Sequence, residues 1–220
     1  MKLSALLALL MLGFTLLGGP GVGAQDSSPE APFDPKELDG FQYGAMRYYT
    51  FDYSAMMEQM GTPGAEMEMP TGLMGIGSAI LEFEEDGQAK DAFNQLKDDQ
   101  ELTGDEVLEG AEEVETDLGD EAVMFSGTED IEGMAMDSTF ALVQDGNYVY
   151  FVFATGSEVD VEGTVTEFTN TLIDNDGSGE GEFNEDGTST GGLWDKFPAA
   201  DDDLVAGLIA SDEELTQGGE

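Results

Sequence analysis

Between Gly77 and Glu84 apolar and polar side chains alternate, with Ala79, Leu81 and Phe83 at odd positions and Glu82 and Glu84 among the even ones. Successive strand residues point to opposite faces, so this pattern predicts a half-buried strand. The period then changes. Ala89, Ala92, Phe93 and Leu96 fall at i, i+3, i+4 and i+7, one stripe of a helix that Asp86 can cap. The same change recurs later. Tyr148 to Ala154, YVYFVFA, is apolar on both faces and predicts a central strand. After it Val161, Val165, Phe168 and Leu172 line one helical face, with Ser157 and Asp160 in the S-x-x-D capping pattern.

Strands fill the remaining apolar segments. Gln42 to Tyr53 is aromatic-rich, and Met56 to Met74 reads as a loop interrupted by Pro63 and Pro70. Glu113 to Asp117 and Glu121 to Ser126 predict one hairpin. Ser138 to Gln144 and Tyr148 to Ala154 predict another, turning at Asp145-Gly146-Asn147. The order β-β-α-β-β-β-β-α predicts an α+β fold: a two-layer sandwich with a mainly antiparallel sheet and both helices on one face.

The flanks differ from this domain, which the pattern places at 41–173. Lys2, the apolar run Leu3 to Leu17 and Val22-Gly23-Ala24 form a signal peptide, 1–24, with cleavage near Ala24. The run of 15 residues is shorter than the roughly 20 of a membrane-spanning helix. Residues 25–40 read as a flexible leader. Residues 174–220 read as an acidic, glycine-rich tail with two short apolar islands, GGLWDKFP and LVAGLIA, which either dock back on the domain or lead to a partner.

Charge narrows the function classes. With 49 acidic residues, six basic ones and no histidine, the formal net charge is −43, which repels nucleic acid and anionic membranes. The hydrophobic share of 40% still permits a folded core. The composition resembles that of secreted proteins from salt-loving microbes. In molar salt the Debye length falls to about 3 Å, and the self-repulsion of such a chain is largely screened. Without His or Cys there is no Ser-His-Asp triad, thiol nucleophile, H-E-x-x-H zinc site or disulfide. A carboxylate-dependent hydrolase stays open in principle. Among so many acids, however, no single pair is informative.

Three smaller sets of residues carry candidate chemistry. The methionines Met56, Met57, Met60, Met67, Met69 and Met74, with Met134 and Met136, offer either soft ligands for Cu(I) or adaptable apolar packing. Past Ala24 the basic residues are Lys36, Arg47, Lys90, Lys97 and Lys196. Of these, Arg47 either receives an anionic ligand or pairs with a carboxylate. The third set is DNDGSGEGEFNE, residues 174–185. Aligned to an EF-hand loop it places Asp174, Asp176, Ser178, Glu180 (through its carbonyl), Glu182 and Glu185 at the ligand positions and Gly179 at the turn. Position 8 is Gly181 where such loops carry an aliphatic residue, and no exit helix follows, so the pattern allows a single calcium loop and not a paired EF-hand.

SAILEFEEDGQAKDAFNQL and QDGNYVYFVFATG, within Met46 to Ile173, resemble extracytoplasmic sensor-type domains of bacteria, found on membrane kinases and in exported lipoproteins. The resemblance implies an α+β domain that binds a ligand or a protein partner without catalysis. Those families carry disulfides or a lipidated cysteine, and this chain has no cysteine.

Overall fold

A computed structural model describes residues 35–51, 71–98, 111–131, 134–183, 189–199 and 202–215. The chain runs β1 (Phe41–Phe51), β2 (Gly72–Phe83), α1 (Asp86–Asp98), β3 (Glu112–Val114), β4 (Glu121–Ile131), β5 (Met134–Asp145), β6 (Tyr148–Ser157) and α2 (Val161–Asp174). It continues through β7 (Glu182–Phe183), β8 (Ser189–Thr190), 3-10 turns at Gly192–Lys196 and Asp203–Val205, and β9 (Leu208–Leu215). Seven strands form one open sheet in the order β3-β4-β5-β6-β2-β1-β9, all antiparallel. The fold is therefore α+β with an antiparallel sheet. The expected signal peptide and the methionines from Met56 to Met69 lie outside the described residues.

The helices occupy opposite faces, which corrects the expectation that both lie on one. Ala79, Leu81 and Phe83 of β2 and Val149, Phe151 and Phe153 of β6 share a core with Ala89, Phe93 and Leu96 of α1. The intervening residues Ile76, Ile80, Tyr150, Val152 and Ala154 share a second core with Val161, Val165, Phe168 and Leu172 of α2. A strand alternates sides at every residue, so these two sets face opposite ways. The physical reason is the double apolarity of β5 and β6. Both parities, Phe140 and Leu142 as well as Ala141 and Val143, are fully buried, and a helix on one side would leave the other exposed. β2 is likewise buried on both faces and not half-buried. Its polar Ser78 is fully enclosed.

Three finer expectations also change. Asp160, and not Ser157, is the N-cap of α2, accepting the Gly163 N–H at 2.9 Å, because β6 extends through Ser157. In the β5–β6 hairpin Asp145 pairs with Tyr148, leaving a two-residue turn in which Gly146 takes a left-handed φ of +53°. Leu38, within the expected leader, is 4% exposed and belongs to the α1 core.

The largest correction concerns the expected tail. β9 pairs with β1 over eight positions, from Gly44–Leu215 to Phe51–Leu208, and becomes the sheet's edge strand. Leu193, Trp194, Phe197 and Val205 are buried in the α2 core. The domain thus extends to at least Leu215, past the boundary at 173 that composition suggests. Acidic spacers conceal the connection in sequence, but residues of both islands share a core with Ala45 and Tyr49 of β1, and the Tyr49 hydroxyl donates to the Pro198 carbonyl at 2.7 Å. Among the described residues no helix is long and apolar enough to cross a membrane.

Candidate functional site

Residues 174–182, part of the expected calcium loop 174–185, pass along the surface where α2 ends. Asp174, Asp176, Ser178, Glu180 and Glu182 are exposed, whereas Asn175, Gly177, Gly179 and Gly181 between them are half-buried. An ion-binding loop requires its oxygens to converge. Here the four described side-chain ligands, Asp174, Asp176, Ser178 and Glu182, share the solvent side, and Glu185 lies outside the described residues. Among the described residues no three acidic groups gather as metal ligands do.

The glycines explain the alternation. A Cβ on Gly181 would lie 2.3 Å from Trp194 Cδ1, and one on Gly177 would lie 2.6 Å from the Gly192 carbonyl oxygen. The loop therefore lies close against the 191–196 turn, an approach that only glycine permits. The Glu180 carbonyl, expected to ligate an ion, packs against Gly192.

At the centre of this contact is Lys196, 4% exposed. Its ammonium donates to the carbonyls of Leu172 at 3.2 Å and Asn175 at 2.9 Å. It also stands 4.6 Å from the Tyr148 ring centroid and 5.7 Å from that of Tyr150. Asn175 Nδ2 returns a bond to the Lys196 carbonyl at 3.0 Å. Glu82 closes the far side, its carboxylate accepting the Gly179 N–H at 2.6 Å with the Tyr148 hydroxyl 3.4 Å away. Burial lowers the Lys196 pKa, against the opposing pull of Asp145, Asp176 and Glu82. Burial and the adjacent Glu82 push Tyr148 up to about 12, and burial raises Tyr150 further.

Arg47 forms the second junction. It bonds Asp212 of β9 through two nitrogens, at 2.5 and 2.9 Å, and the Ser189 carbonyl at 3.3 Å. Its guanidinium lies 5.6 Å from the Trp194 ring centroid and 5.1 Å from that of Phe197. Burial alone would lower its pKa, but the Asp212 carboxylate outweighs burial and holds it above the ordinary value. Of the two expectations for Arg47, the structure shows the carboxylate pair. Lys90 pairs with Glu121 on the surface, and Lys97 lies 5.6 Å from the Phe93 ring centroid.

Of the described methionines, Met46, Met74, Met124 and Met136 are buried in apolar packing, and the Met46 sulfur accepts from the Tyr48 hydroxyl at 3.0 Å. A separate cleft of about 550 Å³ opens between α2 and the 203–205 turn, lined by Glu167, Thr171, Asp202, Asp203 and Leu204. Sequence reasoning missed this cleft and the role of Lys196. For Lys196 a signal existed: one of only five basic residues past Ala24 sits beside the single tryptophan, in an apolar island of an acidic stretch. The chain matches no protein-family model, no curated protein and no solved structure.

Proposed function

We propose that this chain is an exported, salt-adapted binding domain without catalytic activity, and that it receives a small cationic ligand in the cleft between α2 and the 203–205 turn. The cleft carries this reading: three carboxylate residues, Glu167, Asp202 and Asp203, line it with Thr171 and Leu204, and among the described residues no basic one does. Single-sign charge around a concave surface focuses the field and raises the local concentration of cations. Leu204 supplies an apolar wall and the Thr171 hydroxyl an acceptor, a combination suited to an alkylammonium group. Further support comes from the expected signal peptide at 1–24 and from the net charge of −43, which suits concentrated salt. The likeness to extracytoplasmic sensor-type domains points the same way. The missing His and Cys argue against most hydrolytic mechanisms.

The test is an NMR titration of the full chain with 1,4-diaminobutane, and with 1,4-butanediol as the uncharged control, at constant ionic strength. Saturable shifts confined to α2 and residues 202–204, absent with the diol and lost in Glu167→Gln/Asp203→Gln, are expected. Diffuse, non-saturating shifts over the whole surface would refute the reading, since they report only counterion attraction.

A further inference from the structure

The C-terminal end of a helix leaves carbonyls without intrahelical donors and carries the negative end of the helix dipole. α2 has no basic residue in its last turn. The cation arrives instead from Lys196, whose ammonium meets Leu172 and Asn175 at that end. We propose that Lys196 is the resident cation of the 172–179 loop, taking the place that a metal ion has in loops of similar composition, so that the loop closes around a covalently tethered ammonium.

The contacts form a complete shell for such an ion. An ammonium has three N–H donors. Two serve the carbonyls, and the remaining face of the charge lies over the rings of Tyr148 and Tyr150. Asp145, Asp176 and Glu82 provide compensating negative charge around it. Asn175 and Gly179 then tie the loop backbone to the Lys196 carbonyl and to Glu82. Exposed acids at Asp174 and Glu180 fit a loop whose cation is inside and whose exterior faces concentrated salt. The device also joins two distant parts of the sequence, since closing the loop holds the 191–198 segment, with Trp194 and Phe197, on the α2 face of the sheet.

Two measurements on the unaltered full chain in molar KCl test this. First, amine-reactive labelling read by mass spectrometry is expected to modify exposed Lys90 while Lys196 reacts about tenfold or more slowly, through opening events only. Second, at fixed ionic strength calcium and magnesium are expected to leave the melting temperature at the same value. Lys196 labelled as fast as Lys90 would overturn the proposal, and so would a calcium-specific shift that Asp174→Ala abolishes. A variant separates charge from packing. Lys196→Ala is expected to melt lower and to recover partly with propylammonium but not with propanol; recovery with neither, or with both alike, counts against a resident cation. Failure of this variant to fold leaves both wild-type measurements decisive.

Discussion

Trp194→Ala is the perturbation that most directly asks whether the acidic C-terminal segment belongs to the folded domain. Trp194 is 5% exposed, packs 5.7 Å from the Phe197 ring and 5.6 Å from the Arg47 guanidinium, and covers Gly181. Removing a buried aromatic side chain costs about 3–5 kcal/mol through lost transfer energy and the cavity left behind. Loss of one aromatic face of Arg47 adds on the order of 0.5–2 kcal/mol, not strictly additively. For a chain of this size each kcal/mol lowers the melting temperature by about 2–4 °C, so a fall of roughly 10 °C is expected. Circular dichroism melts in molar KCl measure it. Because Trp194 is the only tryptophan, its fluorescence supplies a companion test on the unaltered chain. Blue-shifted emission resistant to acrylamide is expected. A fall below about 3 °C, or emission typical of solvated indole, would refute the docking of residues 189–215 on which the seven-stranded architecture rests.

Three further outcomes follow from individual contacts. Arg47→Met leaves the Asp212 carboxylate, 3% exposed, without its partner and is expected to destabilise by about 3–5 kcal/mol, whereas Arg47→Met/Asp212→Leu recovers most of that loss in a denaturant titration. Alkali should destabilise the fold: burial raises Tyr49 to about 12 and Tyr150 further from an ordinary 10.0. These two tyrosines therefore contribute stability that is complete below pH 10 and is lost as pH rises toward their folded-state values. Each contributes a slope of about 1.4 kcal/mol per pH unit. The lowered Lys196 opposes them, its folded-state penalty fading as pH rises through 10.5, so denaturation followed from pH 9 to 11 should show a net fall. A flat profile would contradict the burial of these hydroxyls. Finally, Gly87→Ala in the first turn of α1, where an added Cβ meets nothing within 4 Å, should stabilise by about 0.5–1 kcal/mol. Gly181→Ala, which would press on Trp194, should destabilise; similar melting temperatures for these two variants would remove the close-approach explanation.

Much of the fold was legible because its signals are local. Alternation in β2, the apolar stripe Ala89-Ala92-Phe93-Leu96 and the run YVYFVFA each express the geometry of a single element, and each became the element its period indicated. The error about the helix faces arose because Glu82 and Glu84 marked the even positions of β2 as polar, although Ile76 and Ile80, of the same parity, are apolar and buried. The calcium pattern depends likewise on geometry that spacing does not carry. Asp-x-Asp-x-Ser-Gly-Glu describes converging ligands in one backbone geometry and solvated acids alternating with glycines in another, and one-dimensional spacing is the same for both.

By itself the sequence determined the α+β class, the antiparallel hairpins, the extreme negative charge and the absence of histidine and cysteine chemistry, since these depend on composition and on periods of a few residues. Only the tertiary structure decided which side of the sheet each helix covers, that β9 completes the edge beside β1, and that Lys196 and Arg47 fasten the described residues of 189–215 to the core. Those decisions rest on contacts between residues as distant as Arg47 and Asp212. They are set by which exposed apolar surface remains to be covered once the local elements have formed, a quantity that no short window of the chain contains.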